Sequence, residues 1–195
     1  MDVTILLEPK IDLERLTEIL DGLGHEGRVH TIRTWTKHHK QALFEAAKGY
    51  RPLDLDFVVP SSVGPLVEVI HDGHNTLSLF SRFQKRFARI EDESCPVGGY
   101  NHQSMQGFTG PGYFCVTKGE GEHEGELLID HTKVPKQKVP SWPEIAKNEG
   151  GLAGIVSGGT VDYLRGLSTH VSIGAAYKDG KHRNHWFALV RRDPG

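Results

Sequence analysis

The sequence predicts an α+β fold: a mainly antiparallel curved sheet, half-barrel-like, with N-terminal helices packed on one side. Three observations predict it. Apolar residues recur at the helical period in the first part of the chain, β-prone runs parted by glycine turns fill the last half, and Asp179-Gly180 is a favoured hairpin connection. A length of 195 residues suits a single α+β domain spanning 1–195, helix-rich over 1–93 and strand-rich over 94–195.

The elements follow in order. Val3 to Leu7 is a short β-prone run stopped by Pro9. Asp12 caps a helix reaching about Leu20, whose Leu13, Leu16, Ile19, Leu20 and Leu23 recur near the helical period before Gly22 and Gly24 close it. A second helix from about Thr31 to Lys48 places Ile32, Trp35, His39, Leu43 and Ala46 on one side, so the two form a helical hairpin. Leu53 to Val59 alternates before a double valine and reads as a strand, as does Leu66 to Ile70. In Leu77 to Ile90 the residues Phe80, Phe83, Phe87 and Ile90 keep the 3, 4, 3 spacing of one helical face, which predicts a helix over 77–90.

Tyr113 to Thr117 and Glu126 to His131 form a β meander joined by an exposed Gly/Glu-rich turn, Gly119 to Gly125. Thr132 to Trp142, with two Val-Pro steps and three lysines, reads as an extended surface crossing. Ser141 and Glu144 make a capping box, with Pro143 suited to the first turn, for a short helix to about Asn148. At the C-terminus Thr169 to Tyr177 alternates on one face and turns at Asp179-Gly180 into a return strand ending near Arg191.

Composition narrows the function classes. With 37% hydrophobic and 25% charged residues the chain reads as a soluble protein, and no apolar run approaches the roughly 20 residues that span a bilayer. Asp2 and Glu8 stand where a secretory signal needs a basic head and an apolar stretch, so the expected location is cytoplasmic. Cys95 and Cys115 are accordingly expected as two reduced thiols. A net charge of -2 argues against specific nucleic-acid binding.

The informative stretch is Ser94 to Thr117, which has no charged residue in a chain where a quarter are charged. It mixes glycines with Tyr100, Asn101, His102, Gln103, Tyr113 and Phe114, the makings of a pocket wall. On the strand from Thr169, the face opposite Val171 and Ile173 carries His170, Ser172, Gly174 and Ala176, small or polar groups that leave space. If both line one cavity, His102 and His170 are the acid/base candidates; Tyr100, Asn101, Gln103, Tyr113 and Ser172 orient the ligand, and Trp186 either stacks on it or serves in packing. The reading is a small-molecule-binding domain, an enzyme if the histidines move a proton, for a neutral, aromatic or acyl ligand.

The alternative is a non-catalytic interaction module. In it a basic amphipathic helix over 77–90, with Arg82, Lys85, Arg86 and Arg89, and the Pro/Lys-rich segment 132–142 dock an acidic protein partner. Other chemistries lack their patterns. The pairs His71/His74 and His182/His185 miss the i, i+4 spacing of a helical metal pair, Ser157 and Ser172 lack the GxSxG elbow, and GGLAGIVSGGT has neither P-loop nor dinucleotide order. No metal is assigned, and the cofactor is unknown.

Overall fold

In a computed structural model, described over residues 6–7, 11–77, 81–102, 112–145 and 159–193, eight antiparallel strands close into a barrel in sequence order. They are β1 Val69–Asn75, β2 Arg82–Arg89, β3 Val97–His102, β4 Tyr113–Lys118, β5 Leu127–Asp130, β6 Thr160–Gly166, β7 Val171–Lys178 and β8 Lys181–Arg191. Strand β1 closes the ring: His71 lies opposite Lys85 of β2 on one side and Arg191 of β8 on the other. The expected half-open curved sheet is therefore corrected to a closed barrel, which leaves no free edge.

The correction originates in β2. The helix expected over 77–90 is a strand over Arg82–Arg89, because residues four apart share a face in a strand as well as near a helical turn. Phe83, Lys85 and Phe87 point into the barrel, while Arg86 points out and meets Glu68 at 3.1 Å. The cationic helix face thus does not exist: Lys85 is interior, and Arg89 pairs with Asp56. Leu53 to Val59 is corrected in the opposite direction, for Asp54 caps a one-turn helix, α4 (Leu55–Val58), by accepting from the Phe57 amide at 3.2 Å.

The N-terminal region holds three longer helices where two were expected. In α1 (Leu13–Gly22) Asp12 is the N-cap, accepting from the Arg15 amide at 2.9 Å. The second expected helix is divided into α2 (His25–Thr34) and α3 (Lys37–Ala46), because Thr36 leaves helical geometry and caps α3 with a capping box shared with His39. All three pack on the barrel wall. Leu16, Leu20, Ile32, Trp35 and Leu43 bury the outward residues Val171, Ile173 and Ala175 of β7 with Trp186, Ala188 and Val190 of β8. The helices thus lie against one side of a closed barrel rather than on a curved open sheet.

Inside the barrel a second apolar cluster contains Val69, Phe87, Val97, Phe114, Val116, Leu127, Leu164 and Leu189. The end where β1 begins is plugged by Leu53, Val58, Val59 and Val63, and the buried His71 ring donates from Nε2 to the Val58 carbonyl at 3.0 Å. Two glycines make the interior close. A Cβ on Gly99 would lie 2.5 Å from the Phe114 ring, and one on Gly174 would lie 2.4 Å from Phe187. The small residues read as leaving space on these strands instead admit the rings of their neighbours.

A third cluster covers the outside of β2 to β4, where Tyr100 and Tyr113 pack with Ala88, Val139 and Trp142 of the crossing segment. Beside it Cys95 and Cys115 form a disulfide, so the expectation of two reduced thiols is corrected. The segment 141–145 is not helical, and the rest of the expected capped helix lies outside the described residues, as does most of Val3 to Leu7. Among the described residues no helix is long and apolar enough to cross a membrane.

Candidate functional site inside the barrel

The barrel interior is apolar at the plugged end and polar toward the other, where β1, β3, β5 and β7 finish. Strand alternation sets this division. Lys85 on β2 lies opposite Asn101 on β3, and Asp162 on β6 lies opposite Ile129 and Ala176, so all are inward. Lys85 is 2% and Asp162 6% exposed, and an isolated charge at such depth would be costly.

The cluster compensates it. Lys85 Nζ stands 3.0 Å from Asp162 Oδ2, 3.0 Å from Asn101 Oδ1 and 3.2 Å from His131 Nε2, three acceptor sites for three ammonium hydrogens. Phe114 and Phe187 place their rings 4.7 and 5.4 Å from the same nitrogen. His131 Nε2 also lies 3.2 Å from Asp162 Oδ2. Burial pushes the Lys85 amine and the His131 imidazole below their usual ranges, against the pull of Asp162. Burial works against the Asp162 carboxylate too, yet Lys85 and His131 hold it well below the usual carboxylate range.

This arrangement leaves one need unmet whichever tautomer His131 adopts. If Nε2 accepts from Lys85, the ring proton sits on Nδ1; if Nε2 donates to Asp162, Nδ1 is a bare acceptor. In both cases Nδ1 is buried without a hydrogen-bond partner. His185, inward by alternation with Phe187 and Leu189, likewise buries Nε2 without a partner, and burial lowers its pKa. Ser172 Oγ is another such atom, but it lies at the start of β7, toward the plugged end. Buried polar atoms are nearly always paired, so unpaired ones clustered in a lumen mark a place for a ligand atom or a water.

The sequence-predicted site residues divide between faces. Asn101 and Ser172 are inward, Asn101 within the cluster. Tyr100 and Tyr113 are on the outer wall beneath Trp142, with the Tyr113 hydroxyl donating to the Pro143 carbonyl. His102 ends β3 beside Tyr100, its ring edge-on at 6.1 Å, with burial and then Arg86 lowering its pKa. Trp186 is buried under the helices, with Lys37 at 5.6 Å from its ring. His170 lies in the β6–β7 turn, 2.6 Å from Asp193. Since β3 and β7 are four strands apart in an eight-strand ring, His102 and His170 are not brought together. Gln103 lies outside the described residues.

Sequence reasoning missed His131 and Asp162, and it gave Lys85 and His185 other roles, in a cationic helix face and a histidine pair. The signal was present as a charge in an apolar alternation: Phe83-Lys85-Phe87 and Asp162-Leu164 each put an ionisable group at the spacing of inward residues. Reading 77–90 as a helix concealed the first. The His71/His74 pair does not converge, because His71 is inward at the plug while His74 contacts Lys40 at 3.1 Å outside it. Among the described residues there is no group of three or more His, Cys, Asp and Glu that would hold a metal. Compared with known proteins, the chain matches no family model, no curated protein and no solved structure. The β-barrel itself is compatible with a small-molecule-binding domain.

Proposed function

We propose that the protein binds a small, neutral, partly aromatic molecule in the polar half of its barrel. The observation that carries this reading is the pair of unpartnered, buried ring nitrogens, His131 Nδ1 and His185 Nε2, beside the satisfied Lys85–Asp162 pair. Opposite charges that neutralise each other suit a ligand without net charge, and Phe83, Phe114 and Phe187 offer it apolar walls. A ligand hydroxyl would hydrogen-bond an imidazole, and Asn101 supplies a further polar group. The Cys95–Cys115 bond belongs with an oxidising compartment, so the cytoplasmic expectation loses the support of reduced thiols.

The test is a fluorescence titration with 2-naphthol, which is neutral near pH 7 and carries one hydroxyl on an aromatic body. Saturable binding is expected, and His185→Phe, which fills the lumen and removes the polar atom, should weaken it about tenfold or more, the scale of a misfit in an apolar pocket. Unchanged affinity in a variant that melts cooperatively would count against the proposal.

A further inference from the structure

The outer wall carries a second constellation. A cavity of about 420 Å3 opens between the β4–β5 connection and strands β6 and β7, bordered by His123, Tyr163, Tyr177, Glu122, Asp179 and Lys48. Its histidine is held by a closed loop. The Gly119 amide donates to the Glu126 carbonyl at 2.8 Å and the Glu126 amide donates to the His123 carbonyl at 3.0 Å. A Cβ on Gly119 would stand 2.2 Å from the His123 carbonyl oxygen, so the loop closes this tightly only with glycine there.

The side chains behind His123 form a buried relay. Glu126 Oε2 accepts from His123 Nδ1 at 3.0 Å, and Glu126 Oε1 accepts from Arg165 Nε at 2.8 Å. Arg165 in turn donates to the Phe44 carbonyl at 2.6 Å and lies 3.8 Å over the Phe44 ring. With its proton on Nδ1 toward Glu126, His123 presents Nε2 as an acceptor, 3.8 Å from Glu122 and beyond hydrogen-bond length. The imidazole lies flat on Tyr163, centroids 3.7 Å apart at 14°, and Tyr177 meets Tyr163 at 89° and 5.1 Å, making an aromatic corner.

The electrostatics of the corner favour a positive guest. The Arg165 guanidinium also borders the cavity, but the buried Glu126 behind it neutralises it at 2.8 Å, and of the remaining border charges the two carboxylates of Glu122 and Asp179 outnumber the one ammonium of Lys48. Burial first, then the nearby Glu126 and Glu122 charges, raise the phenol pKa of Tyr163; burial also raises that of Tyr177, where Arg165 opposes the rise and the same carboxylates add to it.

We propose that this corner binds an organic cation bearing N–H donors, an amidinium, guanidinium or primary ammonium group. The cation lies against Tyr163 and Tyr177, gives one hydrogen to His123 Nε2 and takes Glu122 and Asp179 as its counter-charges. The site is on the outside of the barrel and independent of ligand binding in the lumen.

NMR titration with benzamidine, against the neutral isostere benzamide, tests it. Benzamidine should shift the ring resonances of His123, Tyr163 and Tyr177 saturably, with benzamide binding at least about threefold more weakly. Glu122→Gln should weaken benzamidine about threefold; this side chain is 82% exposed, so lost folding does not explain the result. Equal shifts by benzamide, an unchanged affinity in E122Q, or resonances that stay still would each overturn the proposal.

Discussion

A lysine ammonium survives inside a barrel only where its hydrogens find acceptors, and Lys85 has Asp162, Asn101 and His131 within 3.2 Å. Removing one partner is worse than removing the pair. Asp162→Asn, which strands the ammonium, should cost about 3–5 kcal/mol in urea denaturation, whereas the double variant Lys85→Met with Asp162→Leu should recover most of that loss. A second residue contributes to the acid limb, alongside other histidines such as the half-buried His74, held down to about 4 chiefly by burial. Burial holds the His71 imidazole down to about 3, with the hydrogen bond to Val58 opposing. Its folded pKa lies below the unfolded value near 6.5, so the unfolded chain takes up the proton first and stability falls as pH drops from about 6.5 toward 3. His71→Gln, which keeps a donor for Val58, should flatten the fall in stability measured between pH 6.5 and 4.5. Asp162, held low, adds its own loss only below the ordinary aspartate range.

Elements with a local signal were legible, and those fixed by distant partners were not. The Asp12 cap, the Asp179-Gly180 hairpin and the β4 and β5 strands follow from capping, turn chemistry and alternation in a few neighbouring residues. The identity of β2 does not, because Phe83 and Phe87 satisfy both periods and only pairing with β1 and β3 decides between them. The break between α2 and α3 was readable at Thr36, a residue that prefers caps to helix interiors. Thr36→Ala removes the acceptor for the His39 amide at 3.2 Å and should lower stability by about 1 kcal/mol, read from the shift in denaturation midpoint. A neutral result would mean that α3 is fixed by Leu43 and Phe44 packing alone.

At the scale of the whole molecule, closure gives the strands their function. An open sheet would have one buried face; the closed barrel has an inside, in which Lys85, His131, Asp162 and His185 meet from β2, β6, β8 and the residue following β5. That meeting has no sequence-local trace, since its members are spread over a hundred positions. The described part of the uncharged stretch serves two faces: Asn101 looks into the lumen while Tyr100 and Tyr113 join the outer aromatic cluster. The sequence reading put Asn101, Tyr100 and Tyr113 around one cavity, and strand alternation divides them.

That division permits a direct test. Isotope-filtered NOE measurement on the complex with 2-naphthol reports which rings touch the ligand. A lumen site predicts contacts to the inward Phe83, Phe114 and Phe187; contacts confined to Tyr100, Tyr113 and Trp142 on the outer wall, or to no barrel ring, would contradict it.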